Sequence, residues 1–114
     1  MILDVEECGP SALLEGFRLI DATVRGGVRI RAALGGKGPP LLLLHGHPQT
    51  HVTWRKVAPA LAESFRVVAP DLRGYGDSAK PDGGDNHIAY SKREMAADQV
   101  ALMRGLGHER FMVV

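Results

Sequence analysis

The sequence predicts an α/β fold with a mostly parallel sheet, and two strand exits and one alternation carry that expectation. Leu41-Leu42-Leu43-Leu44 is an unbroken apolar run that stops at His45-Gly46 and changes direction at His47-Pro48. Phe65-Arg66-Val67-Val68-Ala69-Pro70 is a second run, and it breaks into Asp71-Leu72-Arg73-Gly74-Tyr75-Gly76-Asp77-Ser78. Segments of helical spacing lie between and after these runs. Such alternation implies parallel strands with helices packed on the sheet faces.

Residues 1–13 are expected to form an N-terminal arm, mobile around Cys8, and 14–114 the core domain. Phe17 to Val24 and Val28 to Leu34 are β-rich and flank Arg25-Gly26-Gly27. That spacing predicts a hairpin, since glycine accepts the positive φ of tight turns. Gly35-Gly36-Lys37-Gly38-Pro39 is a loop. It is not a phosphate loop, because Gly and Pro follow the lysine and no helix begins there. Pro40 to Leu44 is a third strand, apolar throughout and hence buried on both faces.

Trp54, Val57, Ala58 and Leu61 then fall at helical spacing, with Pro59 inside the pattern. Proline is tolerated in a first helical turn, so a short turn followed by a helix is expected. Phe65 to Ala69 is the fourth strand, and 71–90 a long Gly/Pro/Asp-rich loop of the kind that tends to be functional. Ser91-Lys92-Arg93-Glu94 matches a capping box. Met95, Ala96, Val100, Leu102, Met103 and Leu106 give the following helix its apolar face, and Gly105 or Gly107 closes it. Phe111 to Val114 reads as a last buried strand. It has no turn or cap after it, which predicts a truncated chain.

At 114 residues and 45% hydrophobic content, the length suits one small domain with a core. Fourteen basic against thirteen acidic side chains, with both signs interspersed, leave no basic stripe for nucleic acid or an anionic membrane. A single cysteine, Cys8, fits a reducing compartment. The acidic start is unlike a secretory signal, and no apolar stretch approaches the roughly 20 residues that span a bilayer. The expectation is a soluble, cytoplasmic protein.

His45-Gly46-His47-Pro48 is the first chemical candidate. Gly46 lets the backbone bend sharply, and Pro48 has no N–H, so His47 supplies the last free donor at the strand exit. A fixed N–H there can stabilise an oxyanion. A plain tight turn fits the same residues, and the His47-Pro48 bond is a candidate for cis geometry. His45, His47 and His51 invite a metal reading. Their spacing, however, differs from that of the zinc hydrolases it superficially resembles, so no metal is expected. Gln49, Trp54, Asp71 and Arg73 are candidate pocket-lining residues. For Asp71 and Arg73 two readings stand: a pocket for an anionic substrate, or a turn whose charges are satisfied internally. No serine, aspartate or cysteine carries the flanking glycines of a nucleophile elbow.

Taken together, His45-Gly46-His47-Pro48-Gln49-Thr50-His51, Trp54, Val57-Ala58-Pro59 and Pro70 through Ser78 resemble the N-terminal part of the α/β-hydrolase fold, as do Tyr90-Ser91-Lys92-Arg93 and Leu106 through Phe111. The branch they are most similar to comprises haloacetate (fluoroacetate) dehalogenases and epoxide hydrolases. The resemblance implies a partial hydrolase sheet, a hairpin followed by parallel β-α-β-α-β, whose nucleophilic aspartate and catalytic histidine lie beyond Val114. It implies a backbone oxyanion role for His47, with His45, Gly46 and Pro48 shaping the turn. It also implies no cofactor, a small-molecule substrate (halogenated carboxylic acid, epoxide or ester), a possible homodimer, and no activity in this stretch by itself. A non-catalytic binding module that retains half a hydrolase sheet is the alternative from another class.

Overall fold

The computed structural model describes residues 4–46, 49–83 and 89–114. Six strands form one sheet: β1 (Asp4–Pro10), β2 (Arg18–Thr23), β3 (Arg29–Gly35), β4 (Pro40–Leu42), β5 (Arg66–Pro70) and β6 (Met112–Val113). Their spatial order is β1-β2-β3-β5-β4-β6. β1, β2 and β3 form an antiparallel meander, β3 also runs antiparallel to β5, and β5, β4 and β6 are mutually parallel. The hairpin turn between β2 and β3 places Gly26 and Gly27 at φ +69° and +74°, which the glycine pair foretold.

Residues 4–10 depart from the expected arm. They form the edge strand β1, bulged between Glu7 and Gly9. Almost every β1 side chain is exposed, so the strand carries no apolar alternation by which the sequence could have betrayed it. Its partner is simply the open backbone edge of β2.

The two central strands are buried on both faces. Leu41 and Leu43 of the β4 run, with Val67 and Ala69 of β5, point into one apolar cluster with Leu14, Phe17 and Ala58. Leu42 and Val68 point into the opposite cluster with Ile20, Ile30, Leu102 and Met103. Period-two alternation therefore feeds two cores, which is why these runs read as continuous apolar sequence.

A 3-10 turn (His51–Trp54) and the single-turn helix α1 (Ala58–Leu61) cover the first face, with Pro59 in the first turn of α1. Helix α2 (Lys92–Gly105) covers the second. Ser91 Oγ accepts from the Glu94 N–H at 3.2 Å, as a capping serine should. The reciprocal half of the box is absent, because the Glu94 carboxylate takes Arg25 Nη1 at 2.6 Å instead. α2 closes on Gly107 (φ +91°), whose N–H donates to Arg104 while the His108 N–H donates to Met103. That pair of bonds is the Schellman pattern.

Candidate active site

The winding of the sheet reverses at β4. The crossover from β4 to β5 passes over the face covered by α1, and the one from β5 to β6 returns over the α2 face to the far side of β4. In open α/β sheets ligands bind outside the carboxyl ends of strands where the order reverses. The exits of β4 and β5 are therefore the place to look, and they hold most of the candidate residues.

His45 joins the two exits. It is 5% exposed, and its Nε2 lies 3.0 Å from the Leu72 backbone nitrogen. A backbone N–H can only donate, so Nε2 is the acceptor and the ring proton sits on Nδ1, 2.9 Å from the Gly46 carbonyl. The Tyr75 ring meets the imidazole edge-on at 5.1 Å. Gly46 is clasped by Gln49: the Gln49 N–H donates to the Gly46 carbonyl at 2.8 Å, and the Gly46 N–H donates to Gln49 Oε1 at 3.3 Å. Gln49 thus fastens the turn. His47 and Pro48 lie outside the described residues.

Asp71 is 1% exposed and organises the β5 exit. Its Oδ1 accepts from the His51 backbone N–H at 2.7 Å and from His51 Nδ1 at 2.8 Å, and its Oδ2 accepts from the Asp77 N–H at 3.0 Å. Burial pushes the carboxyl up, but the hydrogen bonds from His51 and Asp77 outweigh it and hold Asp71 below the ordinary carboxylate range. Gly76 (φ +51°) packs so closely that a Cβ there would sit 2.3 Å from Asp71 Oδ2. Ser78 Oγ donates to the Asp71 carbonyl at 2.6 Å and accepts the Arg31 N–H at 2.9 Å, stitching the loop to β3.

Arg73 is turned inward. Nε and Nη2 each lie 2.6 Å from the Asp98 carboxylate of α2, and Nη1 donates to the Ala89 carbonyl at 2.8 Å. With Arg73 5% and Asp98 0% exposed, this is a buried bidentate pair, and Asp98 raises the already high Arg73 pKa. The anionic-pocket reading of Asp71 and Arg73 is therefore corrected for their charged groups, which are saturated by internal partners. Trp54 is half-buried against the α1-side core, and its indole N–H has no partner among the described residues. Among the described residues no cluster of three or more His, Cys, Asp or Glu side chains could hold a metal ion.

Sequence reasoning passed over Asp98 and Gln99. Asp98 and Gln99 had a signal: both are polar positions among the apolar residues of α2, four before Leu102 and four after Met95.

A mixed sheet wound on both faces, with a glycine-centred turn at the exit of the reversal strand, defines an α/β enzyme scaffold. The chain belongs to the α/β hydrolase fold family, which its residues 39–114 match. It is 54% identical over 104 residues to a fluoroacetate dehalogenase from a Burkholderia species, covering 90% of this chain and 33% of that protein. It is 49% identical over 88 residues to a soluble epoxide hydrolase from Corynebacterium, covering 77% of this chain and 29% of that one. A Salmonella enterica crystal structure provisionally named an acyltransferase superposes with a TM-score of 0.93 at 56% identity, over 95% of this chain and 36% of that one. The chain thus spans about a third of the length of these relatives. Among the described residues no helix is long and apolar enough to cross a membrane.

Proposed function

We propose that this chain is the N-terminal portion of a haloacetate dehalogenase-like hydrolase. What supports the reading above all is the 54% identity to the Burkholderia fluoroacetate dehalogenase across nine-tenths of the chain. The latched turn at the β4 exit supplies a fitting scaffold. In this mechanism an aspartate oxygen attacks the carbon bearing the halogen, the C–halogen bond breaks, and halide leaves with the electron pair. A histidine takes a proton from water, and the resulting hydroxide adds to the ester carbonyl. The His47 N–H then stabilises the tetrahedral oxyanion, which collapses to the hydroxy acid and regenerates the aspartate.

The aspartate and the histidine are outside these 114 residues, so the chain by itself is inactive. His45, Gly46 and Pro48 shape the turn. His45 does so as a neutral imidazole bridging Gly46 and Leu72. Gln49 fastens the same turn. The substrate is a small halogenated acid met in the cytoplasm, no cofactor takes part, and the working enzyme is a homodimer. The 49% identity to the Corynebacterium epoxide hydrolase favours an epoxide as the second reading.

The test is the coding sequence that follows Val114, together with halide release from fluoroacetate and chloroacetate by its full-length product. An aspartate at the centre of the next turn plus halide release is the expected result. An aspartate without release moves the substrate to epoxides, a serine moves it to esters, and a stop codon overturns the enzyme reading.

A further inference from the structure

The exit of β5 grips the exit of β4 at two places. Before the glycine turn, the Leu72 N–H donates to His45 Nε2 at 3.0 Å. After it, the carboxylate of Asp71, the residue next to Leu72, accepts from the His51 N–H at 2.7 Å and from His51 Nδ1 at 2.8 Å. Between the two grips Gly46 and Gln49 are tied to each other. Two consecutive residues of one strand exit therefore hold both ends of the other.

Asp71 is itself fixed from several sides. Its Oδ2 accepts from the Asp77 N–H at 3.0 Å, its carbonyl accepts from Ser78 Oγ at 2.6 Å, and Gly76 leaves its carboxylate no room to swing. At 1% exposure the side chain offers a substrate no surface. Held below the ordinary carboxylate range, it is ionised at neutral pH and can only accept, so His51 Nδ1 carries a proton. Hydrogen bonds to an ionised partner are the stronger kind. Their donors come from two segments, His51 after β4 and Asp77 after β5, so this carboxylate is a cross-link rather than the cap of one local turn.

We infer that Asp71 is a positioning residue of the proposed hydrolase: acting through His51, it fixes the backbone beyond the β4 exit and so serves the oxyanion step. The inference rests on the reading above, which gives that step to the His47 N–H. It separates the two halves of the reaction. Halide leaves in a displacement at carbon, which creates no oxyanion at the turn. The oxyanion arises only when hydroxide adds to the ester carbonyl. Loosening the Asp71–His51 link therefore slows ester hydrolysis and spares halide departure.

The test uses the full-length protein that carries these residues, mixed rapidly with chloroacetate. In Asp71→Asn a burst of roughly one halide per enzyme is expected at close to the wild-type rate. Turnover after it should be slower by about ten- to a hundred-fold, with the ester-bearing enzyme visible by mass spectrometry. His51→Ala keeps the backbone bond and should show the same split more weakly. His51→Asn, whose amide can stand in for Nδ1–H, should restore turnover, and this pair carries the test if Asp71→Asn does not fold. A burst lost together with turnover, turnover unchanged in His51→Ala, or no recovery in His51→Asn would each overturn the inference. Amide exchange at Gly46 and Gln49 needs no substrate and should quicken in His51→Ala relative to His51→Asn; equal exchange overturns it too. A wild-type enzyme that releases no halide sinks the dehalogenase reading instead. The split is then read with an epoxide, whose ring opening and ester hydrolysis divide in the same way.

Discussion

The corner around Asp71 lies at the exit of β5, whereas the edge at β6 pairs with β4 alone. At the corner every buried charge is met: Asp71 by His51 and Asp77, Arg73 by Asp98 and Ala89. At the edge three consecutive apolar residues, Met112 to Val114, face water. The opposite edge, β1, shows that this is not what an edge of this sheet must look like. β1 carries Asp4, Glu6 and Glu7, a bulge and a terminal proline, all devices that discourage further pairing. The charges of the corner are met within these residues, β1 is guarded by charge and a bulge, and β6 exposes apolar side chains without such devices.

The sharpest way to break this contrast is at the buried pair. Arg73→Ala is expected to cost roughly 3–5 kcal/mol, because it strands Asp98 as an unpaired charge at 0% exposure. Urea denaturation would measure it, and replacing both partners by apolar residues of similar volume should recover most of the loss. Gly76→Ala comes next, at about 1–3 kcal/mol, since it combines a positive φ with a collision against Asp71. If Gly76→Ala were neutral, the close packing of that turn would be wrong.

Acid should act on the same corner. A carboxyl held below its unfolded pKa contributes stability that is fully present above the unfolded value and is lost as pH falls through the folded one. Asp71 is such a group, so stability should decline below about pH 4. Asp71→Asn should flatten that decline, leaving the share from Asp21, which its hydrogen bond to Arg31 chiefly holds down against burial. Thermal melts across the acid range would show it, and a variant with an unchanged slope would remove Asp71 from the account.

The smallest effect on stability is expected at the open edge. Val113→Lys should alter the Tm of the chain by no more than the equivalent of about 0.5 kcal/mol, because that side chain packs against little. It should nevertheless lower self-association, read by sedimentation, because a charge on the edge opposes strand pairing. Loss of stability without any change in association would mean that β6 is not an exposed edge.

Much of this molecule was legible residue by residue. The hairpin followed from Gly26-Gly27, the doubly buried strands from the leucine run and from Val67 to Ala69, and the caps of α2 from Ser91 and Gly107. Each is a local rule: a φ that glycine accepts, a period of two, a hydroxyl at a helix start. The turn at Gly46 was likewise legible, although its latch, a His45 ring reaching Leu72 across 27 positions, was not.

What the tertiary structure alone decided were the partners. For Asp71 and Arg73 the internally satisfied turn was the favoured reading over a substrate pocket. The sequence could not say which partners would satisfy them, since a charged side chain does not name its counterion. Folding brought Asp98 from 25 positions away and His51 from 20, and closed both sites. It also drew Glu94 out of the capping box to Arg25 and left the Gln99 amide without a partner among the described residues. β1 was invisible for the complementary reason: a strand held by backbone bonds alone, with its side chains in water, writes no pattern into its sequence.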